Sequence, residues 1–184
     1  MQCTIDAIDE LGYQRAALSE IARRAGITKG AIFYHFRSRD ELIESVLTEV
    51  TTRGANYIMP RVQAAETPAR QLRTYIEAFV DGMRVDPKVI RVLVAIGLHL
   101  TDSEGRSKPL RDVALQEAAT APIEDILRRG QECGEFGTFP IRTMALTLRA
   151  ALETLPERLT TWPDLDLDSY ARDLIALFER ATAP

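Results

Sequence analysis

The chain has 184 residues, 46% of them hydrophobic and 27% charged, with a net charge of −4 at neutral pH. That balance belongs to an ordinary globular protein and excludes fibrous and disordered classes. No apolar run approaches the roughly 20 residues that cross a bilayer. Met1–Asp9 carries acids where a secretory leader needs cations and leucines, so a cytoplasmic protein is expected.

Residues 4 to 11 place Ile5, Ile8 and Leu11 on one helical face, with Gly12 as the stop and Asp6, Asp9 and Glu10 toward solvent. In the next helix Leu18, Ile21, Ala22 and Ala25 recur at i, i+3, i+4 and i+7. Gly26 supplies the left-handed residue that ends it, and Thr28 caps the helix that follows. Ile27 and Ile32 are spaced as a hydrophobic staple that sets the angle between the two helices. With Ile32 and Phe36 facing inward, Lys29, Gly30, Ala31, Phe33, Tyr34 and His35 lie on or beside an outward face. Residues 17–36 therefore read as a helix-turn-helix with its second helix presented to DNA. The charges agree: between Leu11 and Arg39 the cations are Arg15, Arg23, Arg24, Lys29, Arg37 and Arg39, against Glu20 alone. A local charge of +5 inside an acidic chain suits a surface that displaces counterions from phosphates.

Ser38-Arg39-Asp40-Glu41 is a capping box for a fourth helix, whose stripe is Leu42, Ile43, Val46, Leu47 and Val50 and which is predicted to end near Tyr57, before Pro60. Thr67-Pro68 opens a fifth helix bearing Leu72, Ile76, Phe79, Val80 and Met83. Asp86-Pro87 opens a sixth. Its Val89, Ile90, Val92, Leu93, Val94, Ile96, Leu98 and Leu100 are apolar nearly all round, which predicts burial on most sides. Thr101–Lys108 reads as a loop, and a long helix follows from about Ser107 to Cys133 with a kink near Pro122. Gly134–Phe139 connects to a helix of Ile141, Met144, Ala145, Leu148, Ala151, Leu152 and Leu155. After Trp162-Pro163 comes a final helix with Tyr170, Leu174, Ile175, Leu177 and Phe178. No strand pattern occurs, so the fold class is all-α. Cys3 and Cys133 are 130 residues apart with no metal-ligand spacing, and both are expected as free thiols, with a redox role for Cys133 as the alternative.

Gly12-Tyr13, then Leu18-x-x-Ile21-Ala22-x-x-Ala25-Gly26-Ile27-Thr28-x-Gly30-x-Ile32-x-x-x-Phe36-x-Ser38-Arg39-x-Glu41-Leu42, resembles the DNA-binding domain of the tetracycline-repressor (TetR) family of bacterial regulators. The likeness covers about residues 4 to 47. Three departures stand out. Ala17 replaces the family's capping Thr or Ser, Phe33 replaces its Tyr, and the family's basic arm, which begins about ten residues earlier, has no counterpart. The resemblance implies an N-terminal three-helix DNA-binding module over residues 1–47 and a C-terminal ligand-binding and dimerisation bundle over 48–184. It also implies a homodimer formed by the last two helices, a four-helix bundle across a two-fold axis.

Within that frame Lys29 is assigned to base edges, because an ammonium can donate to O6 and N7 of guanine. Thr28, Tyr34, His35 and Arg39 are assigned to phosphates. A largely apolar small molecule is expected among the fifth to eighth helices, near Phe79, Met83, Ile96, His99, Met144 and Trp162, with His99 either a pocket residue or a bonded core histidine. No nucleophile motif, metal spacing or glycine-rich phosphate loop is present, so neither enzyme nor cofactor is expected. The expected function is a ligand-responsive transcription regulator, a repressor on a near-palindromic operator. The alternative is an all-helical interaction module that has lost specific DNA binding.

Overall fold

Among the described residues, the periodic stretches form helices. The computed structural model describes residues 1–97 and 113–184, and their elements are α1 (Gln2–Leu11), α2 (Leu18–Ala25), α3 (Lys29–His35), α4 (Arg39–Gln63), α5 (Pro68–Val85), α6 (Pro87–Gly97), α7 (Val113–Glu132), α8 (Ile141–Glu153), α9 (Leu155–Thr161) and α10 (Leu167–Thr182). Two compact units result: Met1–Gly54 with the segment that begins at Asp86, and Ala55–Val85 with the segment that begins at Arg111. The predicted loop at 101–108, the first turns of the long helix from Ser107, and Leu98, His99 and Leu100 lie outside the described residues.

In the first unit the helical stripes converge on one core. Ile5 and Ile8 of α1, Leu18 and Ile21 of α2, Ile32 of α3 and Leu42, Ile43 and Val46 of α4 are all buried there. Each such side chain contributes about 1.5–3 kcal/mol relative to exposure. Helix α4 starts as predicted: the Glu41 N–H donates to Ser38 Oγ at 3.1 Å. The returning half of the cap is shifted by one residue, with Glu41 Oε2 accepting from the Arg37 N–H at 2.6 Å. The helix does not end near Tyr57 but continues through Pro60 to Gln63. Pro60 is solvent-exposed, so water can serve the Asn56 carbonyl that the ring deprives of a donor.

Helix α6 joins this first core. Val92 and Ile96 are fully buried in it, and Val89, Leu93 and Ala95 are half-buried against it. The expectation of burial on most sides is therefore met on one face only within this unit. Across the α1–α6 contact, Lys88 Nζ donates to Asp6 at 2.6 Å and Arg91 donates twice to Asp9, at 2.6 and 3.0 Å. Asp6 and Asp9, two of the three acids expected toward solvent, are thus half-buried and paired. The Lys88 ammonium holds the Asp6 carboxyl below its ordinary value, helped by Gln2, and Arg91 does the same for Asp9.

In the second unit α5 packs on α7 and α10, and α7 packs on α8. Leu72, Ile76, Val80 and Met83 of α5, Ile123, Ile126 and Leu127 of α7, Leu148 and Leu152 of α8, and Ile175 and Phe178 of α10 are among its buried residues. Arg149 is buried among them and is accommodated because its donors are used: it bonds Thr120 Oγ1 and the Gln116 carbonyl at 2.6 Å each, and pairs with Glu153 one turn on. Gly130 is required where α7 meets Phe136. A Cβ there would lie 2.0 Å from the Phe136 ring.

Candidate nucleic-acid interface

The turn between α2 and α3 is built by local backbone chemistry. Gly26 adopts φ 67°, ψ 26°, the left-handed region that a Cβ disfavours. Its N–H donates to the Arg23 carbonyl at 3.3 Å, and the Ile27 N–H donates to the Ala22 carbonyl at 3.0 Å. These two bonds close α2 as a Schellman motif. Thr28 then caps α3, its Oγ1 accepting from the Ala31 N–H at 3.1 Å. The hydroxyl proton stays free to donate outward. Ile32 is the one α3 residue fully buried, and it anchors the helix; Phe36 packs partly against the same core. Ile27, expected in a staple, is 47% exposed.

That single inward anchor leaves the rest of α3 turned out. Lys29, Gly30, Phe33, Tyr34 and His35 are exposed and Ala31 is half-buried. Tyr34 is 86% exposed and meets His35 edge-on at 5.2 Å between ring centroids. Lys29 Nζ stands 5.8 Å from the centre of the Phe33 ring, one helical turn away. Gly30 keeps the surface low beside them: an added Cβ would approach only Thr28 Oγ1, at 3.7 Å.

The six cations of the sequence patch divide into two sets. Arg23 and Arg24 are held on α2 by Glu20, at 2.7–2.8 Å, and Arg24 also by Glu10 at 2.7 Å. Hydrogen bonds from Arg23 and then Arg24 lower the Glu20 carboxyl to about 2, so it is ionised at any working pH. These four charges cancel. Arg15 and Lys29 have no acidic partner among the described residues, and Arg37 is 93% exposed with only a long 3.4 Å contact to Glu41. Arg39 is half-buried. Its guanidinium lies 4.1 Å from the centre of the Tyr13 ring and donates to the Tyr13 carbonyl, tying the start of α4 to the α1–α2 turn while keeping its charge. Ala17, at the N-cap of α2, makes no side-chain cap.

The residues expected to hold a small molecule are not gathered by the described structure. Met83 is buried and Phe79 half-buried on α5, Met144 is half-buried on α8, and Trp162, after α9, is 54% exposed. Ile96 lies in the core of the first unit, and His99 lies outside the described residues. A pocket between α5 and α10, lined by Leu72, Ile76, Phe136, Ile175 and Phe178, has a volume of about 20 Å³, room for about one water, and includes none of the six.

A three-helix reading module with a helical body defines the class: helix-turn-helix DNA-binding proteins of all-α fold. The family of bacterial regulatory proteins named tetR matches residues 4–46. The regulator BetI 1 of Chromohalobacter salexigens is 29% identical over 106 residues, covering 55% of this chain and 52% of its own length. A BetI regulator of Escherichia coli is 32% identical over 82 residues, 45% of this chain and 41% of its own. The chain thus spans about half the length of the curated relatives it matches. Solved structures extend the likeness in fold to the whole chain. A TetR transcription regulator from Haloarcula marismortui superposes with a TM-score of 0.82 at 18% identity, over 100% of this chain and 95% of its own. The fatty acid degradation regulator FadR of Bacillus halodurans superposes at 0.76 with 21% identity, over 97% and 95%. Residues 4–46 thus match the tetR family of bacterial regulatory proteins, and the chain as a whole shares the fold of solved TetR regulators.

Proposed function

We propose that this chain is a transcription regulator, a repressor that binds a near-palindromic operator as a homodimer and is released by a small, largely apolar molecule. The observation that carries the reading is the outward face of α3, where Ile32 is the residue buried in the core and Lys29, Phe33, Tyr34 and His35 are exposed. Lys29 reads guanine, while Thr28, Tyr34, His35 and Arg39 hold phosphates and set register. Exposed Leu146 on α8 and Leu177 on α10 support pairing through the last two long helices. Two reading helices would then sit about 34–36 Å apart, one turn of DNA. The effector enters the second unit beside Phe79, Met83 and Met144, with Trp162 at its margin. To release DNA it must favour the non-binding state by about 5.5 kcal/mol.

Selection from random duplex DNA, followed by binding to the selected sequence, tests the proposal. A palindromic consensus and a two-to-one protein-to-duplex complex are expected. Lys29→Ala should relax sequence choice, and Arg39→Ala should weaken binding to all duplexes alike. Because Arg39 also ties Tyr13 to α4, Arg39→Lys serves as the charge-retaining control. Failure to enrich any sequence would defeat the proposal.

A further inference from the structure

Phe33 stands out on the reading face. It is 46% exposed, its one cation contact is the Lys29 ammonium 5.8 Å from the ring centre, and it has no hydroxyl with which to hold a phosphate. It is not needed for the core, which α3 enters through Ile32. The exposed part of the ring gains by leaving water against another apolar group, and the floor of the major groove offers one such group, the C5-methyl of thymine. Gly30 and the small Ala31 leave the ring clear to approach, since nothing but Thr28 Oγ1 lies within 4 Å of a Cβ placed at Gly30.

We infer that Phe33 is a specificity-determining residue that reads a thymine methyl, so that each half-site carries a thymine next to, or one step removed from, the guanine read by Lys29. The spacing follows from the 5.8 Å between Lys29 Nζ and the Phe33 ring centre, which is less than two base steps of about 3.4 Å. The inference rests on the proposed DNA binding and adds to it the chemical identity of a second contacted base.

The test replaces each thymine of the selected operator, one at a time, by deoxyuridine, which keeps the base pair and removes only the methyl. One position per half-site, within two steps of the Lys29-dependent guanine, should weaken binding about fourfold, the equivalent of one buried methyl group. Phe33→Ala should weaken binding to the thymine operator and abolish the difference between thymine and deoxyuridine at that position. Phe33→Leu should keep part of it. Indifference of the wild-type protein to every such replacement overturns the inference, as does a Phe33→Ala protein that still distinguishes the two bases. A selected operator with a Lys29-dependent guanine but no methyl effect sinks this inference and leaves the regulator reading standing; no sequence selection at all sinks both.

Discussion

Salt dependence turns the division of cations into a number. Of the six cations between Leu11 and Arg39, Arg23 and Arg24 are neutralised by Glu20 and Glu10; with Lys29 assigned to a base edge, Arg15, Arg37 and Arg39 are left for phosphates. At a slope of about 0.9 per phosphate, three contacts per protomer give about −2.7, and a dimer on its operator about −5 in log K against log salt. Arg37→Ala removes one contact per protomer and should flatten the dimer slope by about 2. Arg23→Ala should leave it almost unchanged, because Glu20 keeps Arg24 and the lost charge was already cancelled. Fluorescence anisotropy of a labelled operator across a salt series measures all three slopes. Equal flattening by both substitutions would refute the division and return the patch to the undifferentiated +5 of its sequence.

Two further outcomes concern stability. Gly130→Ala sets a Cβ 2.0 Å from the Phe136 ring, so Phe136 must leave its buried site, and overpacking of this kind costs about 1–3 kcal/mol, read as a lower thermal midpoint. The α1–α6 ion pairs should make the first unit acid-sensitive. Asp6 and Asp9 have folded pKa values below the ordinary 3.8, so the unfolded state binds protons first as the pH falls. Their contribution is intact above about pH 3.8 and lost below it. Replacing both by Asn should lower the midpoint at pH 7, and the difference from the wild type should shrink as the pH falls below 3.8; an equal loss at every pH would show that packing, not charge, holds α6 to α1.

Much of the reading module was legible in the chain because its determinants are local. The left-handed Gly26, the Thr28 cap and the Ser38–Glu41 cap act over three or four residues, and helical periodicity placed Ile32 inward and Lys29, Phe33, Tyr34 and His35 outward. Tertiary structure decided what depends on partners far along the chain. Asp6 and Lys88 are 82 positions apart, and no periodic signal shows that α6 would dock on α1; an apolar sixth helix is compatible with either unit. Charge counting could not show that Glu10, fourteen residues from Arg24, completes the neutralisation of α2. Local geometry is written in neighbouring residues, whereas the choice among equally apolar or equally charged partners is made only when packing brings one of them within reach.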